Sequence, residues 1–373
     1  MVQSAPSVLL GLTGLQIDGG IASVSRCVAR ALDEAVAAER ITRTDRVLLL
    51  EDPRRAAPPP RRGAQRLARG SQARFALLLW WERSRRRHDL AFFDLVGLAR
   101  ALRLPAFRPA PARTAIFVHG IELGTAHTGS RMAALRGAWR VLTNSRTTAD
   151  RVEAAFPALA GRIRPVLLCI DPERTGLWER ELRATAPPRE RAALIVGRMW
   201  AEERGKGHDQ LVEAWPAVRR RVPGAQLWVV GEGDDSARLQ AKARDAGLDD
   251  AVRFLGRVGD AELGALYQRA ALLAMPSRQE GFGLSYAEAL WHGLPCVGST
   301  ADAASEVIRD GETGRLVPYG DVPALSEAIG SLLADPERRA RMGEAGARDA
   351  RKRFGYVRFR DDLLAALDIP APG

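Results

Sequence analysis

The chain has few cysteines and no long apolar run. Among its 373 residues there are only 3 cysteines, Cys27, Cys169 and Cys296, and no two of them form a C-x-x-C pair. This spacing is unlike a disulfide framework or a zinc site, so we expect buried thiols in a reducing compartment. The sequence has no apolar stretch of about 18 residues, so we expect no segment that spans a bilayer.

The N-terminal residues lack the features of a targeting sequence. Residues 1–14 have neither a basic start nor a long apolar stretch, so we expect no signal peptide and a cytoplasmic protein. The aromatic fraction is only 6%, but the hydrophobic fraction of 46% is that of a globular protein. A chain of this length exceeds one ordinary core, which favours two domains.

Lysine is absent from the most basic part of the chain. Between Arg54 and Arg113 there are 15 arginines and 3 acidic residues, a net charge of +12, whereas the whole chain carries +11. A local basic patch of this kind predicts an anionic surface or substrate near one part of one domain. Residues 53–69 include three consecutive prolines, and we expect an exposed, mobile, irregular insertion there.

A short apolar run with two tryptophans stands inside this basic region. Residues 75–81 read FALLLWW and are followed directly by ERSRRR. Indole rings beside arginines are typical of a helix at the surface of an anionic membrane. A core helix with a solvated basic end has the same pattern, and the sequence leaves both interpretations open.

Strand, glycine loop and helix signals alternate along the chain, which predicts an α/β fold with doubly wound parallel sheets. Residues 171–191 contain three prolines and no regular period, so we expect a linker there. The predicted domains are residues 1–171 and 192–354, both Rossmann-like, separated by a linker at 172–191. A last helix within residues 355–373 is expected to pack back on the first domain.

Residues 275–290, MPSRQEGFGLSYAEAL, combine a strand end, a tight loop and a helix start with two carboxylates. Glu280 and Glu288 stand on either side of Phe282, Gly283 and Leu284, where the helix is expected to begin. The unpaired N–H groups of a helix start hold phosphate. A nucleotide-sugar, with hydroxyls on both sides of a diphosphate, fits this layout, although the spacing alone is also common structural punctuation.

Other candidate residues follow predicted strands. Arg198 and Lys206 lie on one loop between a strand end and a helix start, so two cations are expected to face a ligand crevice. Gly19 and Gly20 either approach a ligand phosphate or merely end a loop. His119 ends a predicted parallel strand and is expected to point into the crevice, although a lone histidine is more often structural.

Motifs of the second half, taken together, resemble the retaining family-four glycosyltransferases, which have the GT-B fold. The motifs are V-G-R at 196–198, G-K-G-H at 205–208, V-V-G-E-G at 229–233, V-R-F-L-G at 252–256, M-P-S at 275–277, E-G-F-G-L-x-x-x-E-A at 280–289 and D-G-E-T-G-R-L-V at 310–317. Their order and approximate spacing match throughout the second domain. The first domain matches only at Gly19-Gly20, at His119 and loosely at Asn144-Ser145.

The resemblance implies two doubly wound Rossmann-like domains facing across a cleft, with the acceptor bound by the first and the nucleotide-sugar by the second. It implies that Glu288 binds the nucleotide ribose and Glu280 the hydroxyls of the transferred sugar. Arg198 and Lys206 are then the cations that neutralise the leaving diphosphate. The remaining implied contacts are amides near Gly283 and at Gly19 or Gly20 for the phosphates, His119 for the sugar, and Arg253 and Phe254 for the base.

The implied reaction is retaining, metal-independent transfer of a hexose, with mannose favoured, from a GDP- or UDP-linked sugar without any further cofactor. The implied acceptor is a saccharide or polyprenyl-linked saccharide in cell-surface polysaccharide or glycoconjugate synthesis. The Arg54–Arg113 region is the candidate for contact with the anionic inner face of the cell membrane, and the sequence leaves open whether it touches lipid. Alternatives are an epimerase or phosphorylase of the same fold and, from another class, a basic nucleic-acid-binding protein, for which no recognition motif is present.

Overall fold

The computed structural model describes residues 5–17, 19–106, 108–111, 113–120, 129–182, 188–278 and 280–372. They belong to two compact units. The first comprises residues 1–171 and 356–373, and the second comprises residues 172–355. Each unit is built on its own parallel sheet, so the predicted α/β class with two doubly wound Rossmann-like sheets is confirmed.

The first unit has a seven-stranded parallel sheet in the order β3-β2-β1-β4-β5-β6-β7. Its strands are β1 Ser7–Leu12, β2 Arg43–Leu48, β3 Gln65–Leu67, β4 Leu90–Phe93, β5 Arg113–Val118, β6 Arg140–Thr143 and β7 Ile163–Pro165. Its helices are α1 Gly20–Ala37, α2 Gln72–Arg85, α3 Val96–Ala99, α4 Gly129–Arg136 and α5 Arg146–Ala155, with 3-10 turns at Arg100–Arg103 and Pro157–Leu159. The central strands β1 and β4 are short, mostly apolar and buried runs, as expected where both faces of a sheet are covered.

One part of the first unit differs from the sequence prediction, and a second part was left open by the sequence. The expected irregular stretch at 53–69 contains β3, which extends the sheet by pairing parallel with β2. The side chain of Arg66 on β3 is tied to Glu82 of α2 at 2.7 Å, which helps to hold this edge strand. In α2, Phe75 and Leu79 are buried, as in a core helix, whereas Leu77 and Trp81 are exposed, and contact of these two with a membrane stays a prediction.

The last helix, α14 (Tyr356–Ala366), packs against α1 within the first unit. The guanidinium of Arg30 lies over the ring of Tyr356 at 4.7 Å. Arg360 forms a salt bridge with Glu34 at 3.4 Å. Polar contacts therefore accompany the burial of Phe359, Leu363 and Leu364 on the apolar side of this helix.

The second unit has a six-stranded parallel sheet in the order β10-β9-β8-β11-β12-β13. Its strands are β8 Ala192–Val196, β9 Gln226–Val230, β10 Val252–Gly256, β11 Leu272–Met275, β12 Cys296–Ser299 and β13 Gly314–Val317. Its helices are α6 Pro172–Leu182, α7 His208–Arg221, α8 Ser236–Asp245, α9 Asp260–Arg269, α10 Leu284–Trp291, α11 Ala304–Val307, α12 Val322–Ala334 and α13 Pro336–Arg353, with a 3-10 turn at Ala201–Lys206.

The predicted linker at 172–191 is wrong in its first half. Residues 172–182 form α6, whose Trp178 is fully buried in the second unit. The indole lies edge-on to Tyr267 of α9 at 6.2 Å and its Nε1 donates to the carbonyl of Asp260. The buried Trp178 thus packs α6 onto the second unit. The hydrophobic period of this helix is not evident in the sequence because of its proline and charged residues.

The thiols of Cys27, Cys169 and Cys296 are free and buried, which confirms the prediction for the cysteines. None of the helices described here is long and apolar enough to cross a membrane.

Candidate active site

The loops that follow β8 and β11 meet at the carboxyl edge of the second sheet. Arg278 donates its backbone N–H to the carbonyl of Gly205 at 2.9 Å. Gly207 has φ 98°, and a Cβ at this position would lie 2.7 Å from the ring of Pro276. Only glycine combines this backbone conformation with this close approach. The G-K-G sequence therefore brings the β8 loop against the β11 loop.

Lys206 and Glu280, both predicted from the sequence, are in direct contact. Lys206 Nζ lies 2.6 Å from Glu280 Oε2, and their side chains are 20% and 19% exposed. This pair of a cation and a carboxylate lies at the carboxyl edge of the sheet, where α/β folds bind ligands, and both side chains are accessible to a ligand. Their roles toward a ligand stay predictions.

Asp302 holds the Glu280 loop and was missed in the sequence. Its Oδ2 accepts a hydrogen bond from the backbone N–H of Glu280 at 3.0 Å and another from the Ser277 hydroxyl. Its Oδ1 accepts from the backbone N–H of Ala304 at 3.0 Å. Burial raises the pKa of the Asp302 carboxyl. The sequence feature that could have identified Asp302 is its position just after the apolar strand β12, at the same sheet edge.

The start of α10 lies beside this loop, as predicted. Gly283 is the N-cap residue at φ 90°, and Leu284 begins the helix. Phe282 is buried against the ring of Phe354 at 5.6 Å. The Ser285 hydroxyl donates to the carbonyl of Val196 at 3.4 Å, which ties the helix start to the end of β8. The first-turn N–H groups of a helix have no intrahelical partner and favour anions.

Glu288 lies in α10 and is buried among polar groups. Its Oε1 pairs with Arg174 of α6, and its Oε2 accepts a hydrogen bond from the Tyr267 hydroxyl at 2.9 Å. Burial and the negative charge of Glu288 raise the pKa of Tyr267, which stays a hydrogen-bond donor. Arg174 also pairs with Asp260 at 3.0 Å. The sequence did not reveal Arg174 because it lies in the stretch predicted as linker.

Arg198, the second predicted cation, does not share the partner of Lys206. Its guanidinium is bonded to Glu203 of its own loop at 2.8 Å, and its side chain is 59% exposed. The loop itself is tied to β9, since the N–H of Gly197 donates to the carbonyl of Val230. Arg198 thus lies on the predicted loop, where it pairs with the half-buried Glu203.

His208 begins α7 behind Lys206. It is buried, its ring lies near Gly197, and its Nε2 has no hydrogen-bond partner among the described residues. Burial and the nearby charge of Lys206 lower the pKa of His208 to about 4. A neutral imidazole therefore stands beside the lysine at neutral pH.

Arg253 and Phe254, predicted at the nucleotide base, lie on the edge strand β10. Strands β9 and β8 separate β10 from β11. Arg253 is exposed and Phe254 is half-buried. Their role stays a prediction.

In the first unit, His119 follows β5 and is buried. Its Nε2 lies 2.9 Å from the carbonyl oxygen of Asp94. Because a carbonyl only accepts, Nε2 carries the proton, and burial lowers the pKa of the ring so that it is neutral. Its ring stacks on Phe117 at 5.0 Å.

Asp94 is a second buried carboxylate that the sequence analysis missed. Its Oδ2 accepts from the N–H of Thr13 and the hydroxyl of Ser25, both at 2.6 Å. Its Oδ1 has no partner among the described residues, and burial raises its pKa. The sequence feature that could have identified Asp94 is its position directly after the apolar strand β4.

Gly19 and Gly20 stand exposed at the start of α1. Gly19 is its N-cap at φ 116°, a conformation that favours glycine, and a Cβ there would touch nothing within 4 Å. The glycine thus serves the backbone turn, and its approach to a ligand stays a prediction.

A lysine–carboxylate pair beside a helix start, at the carboxyl edge of a parallel sheet, is an arrangement in which α/β proteins bind anionic ligands. Residues 190–335 match the profile of a family described as Glycosyl transferases group 1. A GDP-mannose-dependent alpha-(1-6)-phosphatidylinositol monomannoside mannosyltransferase of Mycolicibacterium smegmatis is 36% identical over 67% of this chain and 69% of its own length. The chain belongs to the group 1 glycosyltransferases, and the predicted family is confirmed.

Two further proteins resemble the chain. A phosphatidyl-myo-inositol mannosyltransferase of Mycobacterium leprae is 38% identical, but the match spans only 48% of this chain and 47% of that protein. The structure of a sucrose-phosphate synthase of Thermosynechococcus elongatus superposes with a TM-score of 0.77 at 21% identity, over 97% of this chain and 98% of the other. The solved glycosyltransferases that it resembles have the GT-B fold, so the predicted fold family is confirmed.

Proposed function

We propose that this chain is a retaining, metal-independent mannosyltransferase that uses GDP-mannose and a lipid-linked saccharide acceptor. The Lys206–Glu280 contact beside the start of α10 is the observation that carries the proposal. The donor sugar and the lipid acceptor are suggested by the mannosyltransferases that resemble the chain, one of which acts on a phosphatidylinositol monomannoside.

The charges of the site suit the departure of a diphosphate. When the bond from the anomeric carbon to the phosphate oxygen breaks, its electron pair passes to the diphosphate. Lys206, Arg198 and the first N–H groups of α10 would stabilise that negative charge at fixed positions. Protein cations can take the role that a divalent ion has in other transferases, so the reaction needs no metal or other cofactor.

The two carboxylates would orient the ends of the donor. Glu280 would accept hydrogen bonds from sugar hydroxyls, and Glu288, already held by Arg174 and Tyr267, from the ribose hydroxyls. The acceptor hydroxyl would attack from the face that the phosphate leaves, giving retention. Its proton would pass to the departing phosphate oxygen.

The first unit offers a surface for the membrane in which a lipid acceptor resides. On α2, Leu77 is 60% and Trp81 is 44% exposed, and the guanidinium of Arg85 lies 5.2 Å from the Trp81 ring. Exposed apolar side chains beside arginines suit the boundary of an anionic bilayer. We therefore propose that the protein is cytoplasmic and peripheral on the inner face of the membrane.

A product assay tests this function. Purified protein with GDP-mannose and phosphatidylinositol monomannoside in detergent should yield an α-linked mannosyl lipid, and EDTA should leave the rate unchanged. UDP-glucose and UDP-galactose in parallel reactions identify the base and sugar. A rate that vanishes in EDTA and returns with Mg²⁺ contradicts the metal-independent mechanism, and a β-linked product contradicts retention. Epimerised donor without transfer indicates the epimerase alternative.

A further inference from the structure

An apolar cavity in the first unit has no part in the donor chemistry. Its volume is about 470 Å³, and it lies at the carboxyl edge of the sheet, where Leu49 follows β2 and Leu95 follows β4. Its other walls belong to α2, to α3 with the 3-10 turn after it, and to α4. The volume falls within the roughly 300–1,000 Å³ of small-ligand sites, and this is the edge where parallel α/β sheets bind ligands.

Hydrocarbon side chains make up most of the lining. The buried Phe75 and Leu98 form part of the wall together with the half-buried Ala76 and Ala101. Leu104, also in the lining, is 42% exposed. The polar side chains in the lining are those of Gln72, Ser130 and two arginines, so a saccharide or nucleotide would find few partners for the hydrogen bonds that it makes with water. A hydrocarbon chain has no hydrogen bonds with water to lose and is stabilised by leaving water, which makes it the favoured occupant.

Two arginines line the same cavity. Arg100 of the 3-10 turn is half-buried, and its Nε donates to the carbonyl of Gly97 at 2.9 Å, which fixes the guanidinium at this place. Arg131 of α4 is exposed to solvent. None of the described residues in the lining is acidic. Two guanidinium groups beside an apolar cavity match a molecule that joins a phosphate to a hydrocarbon chain.

We propose that this cavity binds one hydrocarbon chain of the anionic lipid acceptor, while Arg100 and Arg131 hold the phosphate of its headgroup. The inference rests on the proposed function, because it assigns a site to the acceptor lipid. The exposed Leu77 and Trp81 lie on α2, which also forms one wall of the cavity. A chain leaving the bilayer beside α2 could therefore enter the cavity without crossing open water.

Binding of a short-chain lipid tests the site without catalysis. Dioctanoyl phosphatidylinositol, kept below its critical micelle concentration, should bind the wild-type protein in titration calorimetry. Ala76→Trp fills the cavity and should weaken this binding by about tenfold or more, since several buried methylene groups lose their place. Ala154→Trp, at an exposed alanine of α5, adds the same bulk outside the cavity and should bind like wild type.

The arginines are tested with a second lipid. Exchanging Arg100 and Arg131 together for glutamine should weaken dioctanoyl phosphatidylinositol binding by about tenfold, because two charge-assisted contacts are lost. Binding of neutral dioctanoylglycerol should not change. Should Ala76→Trp fail to fold, as judged by its thermal unfolding, Ala101→Phe fills the same cavity from the 3-10 turn.

Transfer assays separate this inference from the proposed function. With GDP-mannose, Ala76→Trp should slow transfer to acylated phosphatidylinositol monomannoside and leave transfer to the deacylated glycerophospho headgroup unchanged. Equal lipid binding by wild type and Ala76→Trp, or binding of vesicles without binding of monomeric lipid, overturns the cavity assignment while mannosyl transfer can still stand. Loss of lipid binding in Ala76→Trp without any mannosyl transfer supports the cavity and refutes the function.

Discussion

The carboxyl edges of the two sheets present opposite chemistry. In the second unit this edge carries ion pairs, Lys206 with Glu280 and Arg174 with Glu288. In the first unit it carries a neutral histidine, His119, and a buried carboxyl group, Asp94, near an apolar cavity. Fixed charge suits a diphosphate whose negative charge grows during the reaction, whereas an apolar edge suits a lipid acceptor.

The largest effect is expected at the charged edge. Lys206→Ala removes the cation that contacts Glu280, and kcat/KM for mannosyl transfer should fall by about 10²- to 10³-fold, or roughly 3–4 kcal/mol of transition-state stabilisation. The thermal unfolding midpoint should stay close to wild type because the lysine is partly exposed. Turnover is measured with radiolabelled donor under single-turnover conditions.

Lys352→Ala is the matched control for this variant. Lys352 is exposed on α13, so its removal should leave the rate within about twofold of wild type. If Lys206→Ala turns over as fast as this control, the proposed role of fixed charge at the second edge is wrong.

The positions of Lys206 and Glu280 at the carboxyl edge of the second sheet could be predicted for a physical reason, whereas their roles stay predictions. Lys206 follows a strand within G-K-G, and Glu280 precedes a helix capped by glycine. Once the strands are known to be parallel, both side chains are expected near the carboxyl edge of the sheet. Partners from distant parts of the chain were not predictable. Arg174 contacts Glu288 from α6, a helix with a buried Trp178 in the stretch that was predicted as a linker. Asp302 contacts the Glu280 loop from the end of another strand.

In the fold, too, features with a local sequence pattern could be predicted and features that depend on distant parts of the chain could not. Apolar runs predicted most strands, since burial on both faces of a sheet leaves a clear local pattern. The edge strand β3 has no apolar run, because its residues Gln65, Arg66 and Leu67 are only half-buried. The cavity escaped prediction altogether, since its lining comes from four separate stretches of the first unit.

The response to pH should differ in sign between the two edges. His208 has a folded-state pKa of about 4, below its ordinary 6.5. As pH falls, the unfolded chain therefore takes up the proton first, and stability is lost between pH 6.5 and about 4. The loss is on the order of 3 kcal/mol. His208→Gln should flatten this part of the stability curve, as measured by urea unfolding across that range.

Asp94 in the first unit provides the contrast. Burial raises its folded-state pKa above the ordinary 3.8, so the stability it contributes is present at low pH and is lost as pH rises through the folded pKa. Asp94→Asn should remove that opposing slope and make the dependence on His208 clearer. Identical pH profiles for wild type and both variants would refute the proposed difference in charge state.

A smaller effect is expected where Arg174 orients Glu288. Arg174→Ala should weaken GDP binding by about tenfold, because Glu288, which we propose binds the ribose, loses the partner that orients its carboxylate. Inorganic pyrophosphate, which has no ribose, should inhibit the variant and wild type equally. This second readout distinguishes positioning from a general loss of structure.

Arg180→Ala is the control on the same helix. Arg180 is exposed, so its removal should not change GDP affinity. Equal losses of GDP and pyrophosphate binding in Arg174→Ala would assign the arginine to the fold of the second unit.

The smallest effect concerns the surface of α2 that we propose contacts the membrane. Arg85→Gln should weaken binding to vesicles that contain phosphatidylserine by about fivefold, since one arginine near an anionic surface contributes about 1 kcal/mol. Trp81→Ala should also weaken vesicle binding, because it removes the indole from the interface. Trp200, 43% exposed in the second unit, is the matched control, and Trp200→Ala should bind vesicles like wild type. If vesicle sedimentation shows equal losses for Trp81→Ala and Trp200→Ala, lipid contact does not distinguish the two units.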